Sequence, residues 1–130
     1  YKNAAVLLSW YEQDALVIIP NSSWFLWESD YKYIVSNEST HESIEANLEL
    51  NPLVDNENTL WVIGLDQGRY EVFLNNDTVY KVNPSDYYLL KKWLINDGVI
   101  IGKNGTWFSS YDLILINVNL RHHVRVKAVN

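Results

Sequence analysis

The chain has 130 residues, of which 48% are hydrophobic and 14% aromatic, and its formal net charge is −6. This length fits one domain with a modest core, and the composition is too apolar for a disordered segment. An acidic surface repels phosphate backbones, which argues against nucleic acid as a partner. Cysteine is absent, which excludes disulfides, thiolate catalysis and cysteine-ligated zinc.

The apolar runs and the first residue of the chain indicate where in the cell the protein would be located. No apolar run approaches the roughly 18 residues needed to span a bilayer. The sequence opens at Tyr1 and contains no methionine, so we expect a fragment or processed product, with any signal peptide or anchor upstream. Residues 1–22 would then be a membrane-proximal lead-in to a single domain over residues 1–130. We detect no internal repeat, linker or low-complexity segment.

The predicted elements begin with a short helix over Ala4–Tyr11, a stretch rich in helix-forming residues. Farther along, alternating apolar and polar side chains predict strands with one buried face. These strands are Ile44–Leu50, Tyr70–Asn75 and Leu120–Ala128. Thr59–Leu65 and Asp112–Val118 are more continuously apolar and predict central strands.

Asp86–Ile95 follows Asn83-Pro84-Ser85, which favours a helix with proline at its first position, although a strand fits this stretch equally well. Turn residues recur at short intervals, as in Asp66-Gln67-Gly68 and Asn75-Asn76-Asp77. Together these patterns predict a mainly β, antiparallel fold. It would be a small lipocalin-like barrel or a sandwich, with one or two short helices.

No catalytic or metal-binding motif is present. His122 and His123 would point to opposite faces of a strand and could not chelate one metal. Neither a Gly-x-Ser-x-Gly motif nor a phosphate-binding glycine-rich loop occurs. We therefore predict no catalytic residues, no metal and no cofactor, and a protein that works by binding.

His122 lies in phase with the apolar residues of its strand. This favours an ordinary core histidine, and it also allows a pH-responsive group, with His41 in a predicted loop as a second candidate. Arg121, Arg125 and Lys127 form a basic stripe on the other face. The stripe indicates either an edge strand protected by charge or a docking surface for an acidic partner.

Aromatic residues suggest a second kind of site. Trp61, Trp93 and Trp107 would belong to the core, or would line a barrel cavity for an apolar small molecule such as a bile salt. The segments Ser43–Leu50 and Leu120–Val129 each have a strongly polar face, which makes them candidate edges for strand addition by a partner.

Asparagine sequons allow a third hypothesis, a glycoprotein. They occur at Asn21, Asn37, Asn76 and Asn104.

The order of these features resembles the FidL-like and PsaF (MyfF) group of small membrane-anchored periplasmic regulatory proteins. The segments concerned are Trp27–Ile34, Asn47–Leu50, Ile63–Leu65, Gly68–Val72, Leu89–Lys92 and Asp97-Gly98. Gly105–Leu113 is also similar to a stretch of ToxS, and the ToxS and VtrC proteins share this general plan. The similarity covers about Trp24 to Val129 as a pattern of strands and turns.

This resemblance implies a periplasmic domain anchored to the bacterial inner membrane by one N-terminal helix. It implies a non-enzymatic partner that binds and stabilises a ToxR-like or PsaE-like winged-helix transcription activator and helps to sense acid or bile-like ligands. It also implies a barrel that shares a sheet and a ligand chamber with the activator. The alternatives are a free-standing lipocalin-like binder of an apolar molecule and a surface glycoprotein.

Overall fold

The computed structural model describes residues 4–21, 29–48, 59–106 and 108–129. The chain divides into two compact units, Tyr1–Leu48 (unit 1) and Glu49–Asn130 (unit 2), and each contains its own antiparallel sheet. The single β-domain over residues 1–130 stays a prediction. The predicted mainly β fold with short helices is confirmed. No helix in the described ranges is long and apolar enough to cross a membrane.

Unit 1 is a three-stranded antiparallel sheet preceded by a 3₁₀ helix over Ala4–Ser9, which is tighter and shorter than the predicted helix. Its strands, in order across the sheet, are β1 (Leu16–Pro20), β2 (Tyr33–Asn37) and β3 (Ser43–Ala46). Val35, Ile44 and Ala46 form the buried cluster on one face, against which side chains of the 3₁₀ segment pack.

Unit 2 is a closed barrel of six antiparallel strands. They are β4 (Leu60–Asp66), β5 (Glu71–Leu74), β6 (Val79–Val82), β7 (Gly98–Lys103), β8 (Leu113–Asn117) and β9 (His122–Val129). They form two meanders, β4–β5–β6 and β7–β8–β9. The barrel closes because β4 pairs with β7 and β6 pairs with β9.

A helical segment joins the two meanders. A 3₁₀ turn over Pro84–Asp86 leads into α1 (Tyr87–Leu90), and the Asn83 side chain accepts the Ser85 N–H at 3.0 Å. The predicted helix start is confirmed, and the strand alternative for this stretch is wrong. The helix is shorter than predicted because the chain turns after Leu90, where the N–H groups of Lys92 and Trp93 bond back three residues instead of four.

Side chains fill the described interior of the barrel. Leu74, Leu115 and Val124 are 0% exposed, and Leu90 and Trp93 pack against them from the helical segment and the turn after it. An eight-stranded barrel is only just wide enough for its side chains to fill, and six strands enclose less. These interior positions therefore form a packed core.

The two predicted edge strands have opposite outcomes. Leu120–Val129 is not an edge, because β9 lies between β6 and β8 in the closed barrel. Its polar face is the outward face of that barrel. Ser43–Ala46, in contrast, is the terminal strand β3 of the unit 1 sheet, as predicted. The last two residues of that predicted segment lie outside the described residues.

Candidate functional site

One buried side chain organises the β2–β3 hairpin of unit 1. Asn37 is 1% exposed. Its Oδ1 accepts the N–H groups of Ser39 at 2.9 Å and of Thr40 at 3.2 Å, and its backbone oxygen accepts that of His41, which turns the chain at a φ of 60°. Its Nδ2 donates to Oδ2 of Asp14 over 2.7 Å, and the Tyr11 N–H donates to the same oxygen at 2.8 Å. These bonds, that of Tyr11 first, lower the pKa of Asp14.

The β8–β9 hairpin of unit 2 has the same arrangement. Asn117 is 0% exposed, its Oδ1 accepts the Leu120 N–H at 3.0 Å, and its backbone oxygen accepts that of Arg121 at a φ of 59°. Its Nδ2 donates to Oδ2 of Asp97 over 2.8 Å. The Leu94 N–H donates to that same oxygen at 2.9 Å. In both units an asparagine ties the hairpin to the segment that leads into β1 or, in unit 2, into β7.

A second asparagine closes the connection between β1 and β2 in unit 1, and another closes that between β7 and β8 in unit 2. Asn21 donates from Nδ2 to the Tyr31 carbonyl at 2.9 Å, and Asn104 donates to the Tyr111 carbonyl at 2.7 Å. Each tyrosine N–H donates to the serine hydroxyl two residues before it, at 3.2 Å in both units. The sequences after these asparagines also match, as Asn-Ser-Ser-Trp-Phe and Asn-Gly-Thr-Trp-Phe.

Unit 1 is thus a structural repeat of the second half of the barrel. A helical segment and three strands occur twice, with the same hydrogen bonds at corresponding positions. The expectation of no internal repeat is wrong. The repeat is hard to detect in the sequence because Asn21 and Tyr31 are ten residues apart, whereas Asn104 and Tyr111 are seven apart. That change in length breaks any fixed period.

The repeat also explains the asparagine sequons. The side-chain nitrogens of Asn21, Asn37 and Asn104 all donate hydrogen bonds within the protein. A glycan replaces one of the two hydrogens on that nitrogen, and Asn21 uses both of its hydrogens, whereas Asn37 and Asn104 are buried, where a sugar has no room. Asn76 is the exposed member of the four sequons.

The two units differ in the hydrogen bonding of a tryptophan that occurs in both copies of the repeat. Trp93 is 2% exposed and donates from Nε1 to Nε2 of His122 over 2.8 Å. Trp10 stands at the corresponding place, four residues before Asp14, as Trp93 stands four before Asp97. The buried Nε1 of Trp10 has no hydrogen-bond partner among the described residues.

The Trp93–His122 contact joins a predicted cavity residue to a predicted pH-sensing residue. In accepting the indole N–H, Nε2 leaves the proton of the neutral ring on Nδ1. A second proton, on Nε2, would displace the Trp93 N–H, so the acid response predicted for His122 has a contact through which to act. That response remains a prediction. His41, the other candidate, is an exposed hairpin residue.

Arg125, predicted as part of an interface, forms an ion pair with a residue of its own unit. Its Nε and Nη2 donate to the two carboxylate oxygens of Asp86 at 2.9 and 3.0 Å, and its backbone N–H donates to Oδ2 at 2.8 Å. Burial alone would raise the pKa of Asp86, but the Arg125 hydrogen bonds outweigh it and lower that pKa. The pair fastens the helical segment to β9.

The other predicted site residues are dispersed. The Lys127 ammonium lies 5.1 Å from the centre of the Tyr111 ring, and Arg121 occupies the exposed turn before β9. Trp61 is half-buried on β4 and does not belong to the barrel core that contains Trp93. Trp107 lies outside the described residues. The described part of the chain contains no group of three metal-ligating side chains.

The open sheet of unit 1 is the best candidate for a functional site. Among the described residues, β1 and β3 each have a single strand neighbour, β2. Leu16, at the start of β1, is 51% exposed, whereas its counterpart Val99 in the barrel is 4% exposed. Sequence reasoning identified the β3 edge from its polar face and missed β1, whose residues are almost all apolar.

Comparison with known proteins adds no relative. No family model, no curated protein and no solved structure matches this chain.

Proposed function

We propose that the protein is a non-enzymatic binding module whose open sheet in unit 1 receives β-structure from a partner protein. The observation that supports this most directly is the pair of terminal strands, β1 and β3, in a sheet that is otherwise built like half of a barrel. A terminal strand presents backbone N–H and C=O groups that a partner strand satisfies, and this is a common mode of protein recognition.

The register shows which backbone groups of β1 would bind. Asn21 donates its N–H to Lys32 and Glu38 donates to Ala15, so the residues of β1 that bond to β2 alternate from these positions. Leu16, Ile18 and Pro20 then direct their backbone away from β2. A proline at the outward end of this set is typical of edge strands, because it lacks only the outward donor.

The partner follows from the resemblance noted in the sequence. It would be the periplasmic domain of a ToxR-like or PsaE-like transcription activator, and the protein would stabilise it from the inner membrane. The free-standing ligand binder is the weaker hypothesis. The interior positions described in the barrel are filled with side chains, which leaves an apolar molecule such as a bile salt no space among them.

The test is co-expression of the whole chain with the periplasmic domain of such an activator. We expect a stable complex in which the backbone amides of β1 and β3 exchange more slowly with solvent. Leu16→Lys should weaken the complex at least about tenfold, because a charged side chain on an edge opposes strand addition. Leu8→Lys is the matched control, since Leu8 is 91% exposed in the 3₁₀ helix. Separate elution of the two proteins at micromolar concentration would contradict the proposal.

A further inference from the structure

Unit 1 has the same strand register as the second half of the barrel. Leu16 lies opposite Asn37, as Val99 lies opposite Asn117. The β2–β3 pairing likewise corresponds to that of β8 with β9. Since the asparagine and aspartate contacts also correspond, the fold of unit 1 can be compared with β7–β9 residue by residue.

In the barrel, this half is closed by the β4–β6 meander. Leu60 of β4 pairs with Val99 of β7, and Val82 of β6 pairs with Val126 of β9. The meander thus binds both outer strands of β7–β9 at once, and its Val62, Val72 and Leu74 side chains enter the shared core. A single added strand would satisfy only one of the two edges.

Among the described residues of unit 1, the inward side chains of β2 and β3 are buried, and the apolar exposure is at β1. Of the residues that the structure describes, the buried cluster of unit 1 contains Val35, Ile44 and Ala46, with Tyr33 also 3% exposed, whereas that of unit 2 contains eleven buried residues from both meanders, the helical segment and the turn after it. The residue that corresponds to Val99 is half exposed, and it is apolar. An exposed leucine beside an edge is the feature that a partner with an apolar inner face would cover.

We infer that the structure which unit 1 receives is a three-stranded antiparallel meander of the β4–β6 kind, and that its binding closes unit 1 into a second six-stranded barrel. The meander's first strand pairs with β1 and its third strand with β3. This inference rests on the proposed function, and it specifies the form of the partner: two edge strands joined through a middle strand, with apolar residues alternating on one face.

The test uses the chain's own meander as the probe. A second copy of residues 59–83 is attached through a flexible linker ahead of residue 1 of the whole chain, because the meander precedes the helical segment in unit 2. We expect the amides of β1 and β3 to exchange at least about tenfold more slowly than in the parent, in a protein that remains monomeric. Leu16 should lose solvent exposure, as a residue-specific NMR or labelling measurement would show.

The matched control carries Val72→Asp and Leu74→Asp in the attached copy alone, which places charge on its inner face. It should leave β1 and β3 unprotected. The inference is overturned if the intact meander gives no protection, if only one edge is protected, or if the parent chain already protects both edges as a homodimer. Protection by an activator domain but not by the meander would leave the proposed function in place and remove this inference alone.

Discussion

Units 1 and 2 contain the same helical segment and three-strand arrangement in two different surroundings. In unit 2 a second meander covers both edges of the sheet, and the inward side chains of Val99, Val124 and Val126 on the strands that meet it are buried. In unit 1 the described residues include no such cover. The contacts common to both, those of Asn37 and Asn117, therefore do not depend on barrel closure.

The comparison separates two sources of stability. Hydrogen bonds from the hairpin asparagine fix the shape of the three-strand arrangement, whereas closure adds to unit 2 the apolar burial of Val62, Val72 and Leu74 from the second meander. The two contributions can be tested separately, because Asn37 and Asn117 occupy corresponding positions in an open sheet and in a closed barrel. The following predictions are ordered from the largest expected effect to the smallest.

The largest difference in stability between the units should appear when the hairpin asparagine is replaced, by Asn117→Ala in unit 2 and by Asn37→Ala in unit 1. Removing Asn117 leaves the nearly buried Asp97 carboxylate without that donor, and we expect unit 2 to lose about 3 kcal/mol. Asn37→Ala should cost unit 1 about 1 kcal/mol, since Asp14 is more exposed and water can replace the lost donor. Amide exchange measured unit by unit checks both values. Asn76→Ala, at an exposed turn, is the control, and equal losses in the two units would contradict the argument.

The Asp86–Arg125 pair occurs in unit 2, and it should make that unit sensitive to strong acid. The folded-state pKa of Asp86 is lowered, so its stabilisation is present above the ordinary carboxyl pKa of about 3.9 and is lost as pH falls through the folded value. Asp86→Asn should reduce the free energy of unfolding by about 2 kcal/mol at neutral pH.

Unfolding of parent and Asp86→Asn between about pH 2 and pH 7 measures this effect. The two stabilities should converge as the pH falls, because the parent loses its charged partner. Asp77→Asn, at an exposed left-handed turn position, should leave the pH dependence of the parent unchanged. A constant difference between parent and Asp86→Asn at every pH would show that the pair contributes no linkage.

The smallest effect concerns the acceptor of the Trp93 indole N–H, for which Trp10 has no counterpart in the part of the chain that the structure describes. His122→Ala removes the acceptor of the Trp93 indole N–H and should cost unit 2 about 1 kcal/mol. His122→Gln retains an acceptor oxygen and should cost less. The NMR signal of the Trp93 indole N–H should exchange faster with solvent in the alanine variant only. His41→Ala is the control, and unchanged exchange in all three variants would show that the contact is dispensable.

Some of this organisation is readable from the sequence. Alternation correctly identifies β5 and β9, and a continuous apolar run identifies β8, whose Ile114, Leu115 and Ile116 are all buried. Proline after an asparagine correctly indicates the start of the helical segment. These signals are local, because each depends on residues within one strand or one turn.

The candidate site is not readable in the same way. β1 has no alternation to mark it as a strand, and Leu120–Val129 has the polar face of an edge although barrel closure places it inside the sheet. The asparagine–aspartate contacts join residues 23 and 20 positions apart, and no spacing rule predicts them. The open sheet of unit 1 and the β7–β9 half of the barrel share one local sequence pattern. They differ in whether further strands pair with their outer strands, and those strands come from distant parts of the chain.

The hydrogen bonds that Asn21 and Asn104 donate have a further consequence for how the length of this connection can vary. Each asparagine binds the far end of its connection, at Tyr31 or Tyr111, although one connection is three residues longer than the other. The strands on either side of the connection pair in the same register, β1 with β2 in unit 1 and β7 with β8 in unit 2. A difference in length between asparagine and tyrosine thus leaves the strand register unchanged, although Ser29 of this connection donates to Glu45 of β3. This connection is where a peptide epitope or a sequence library could be introduced without shifting a strand.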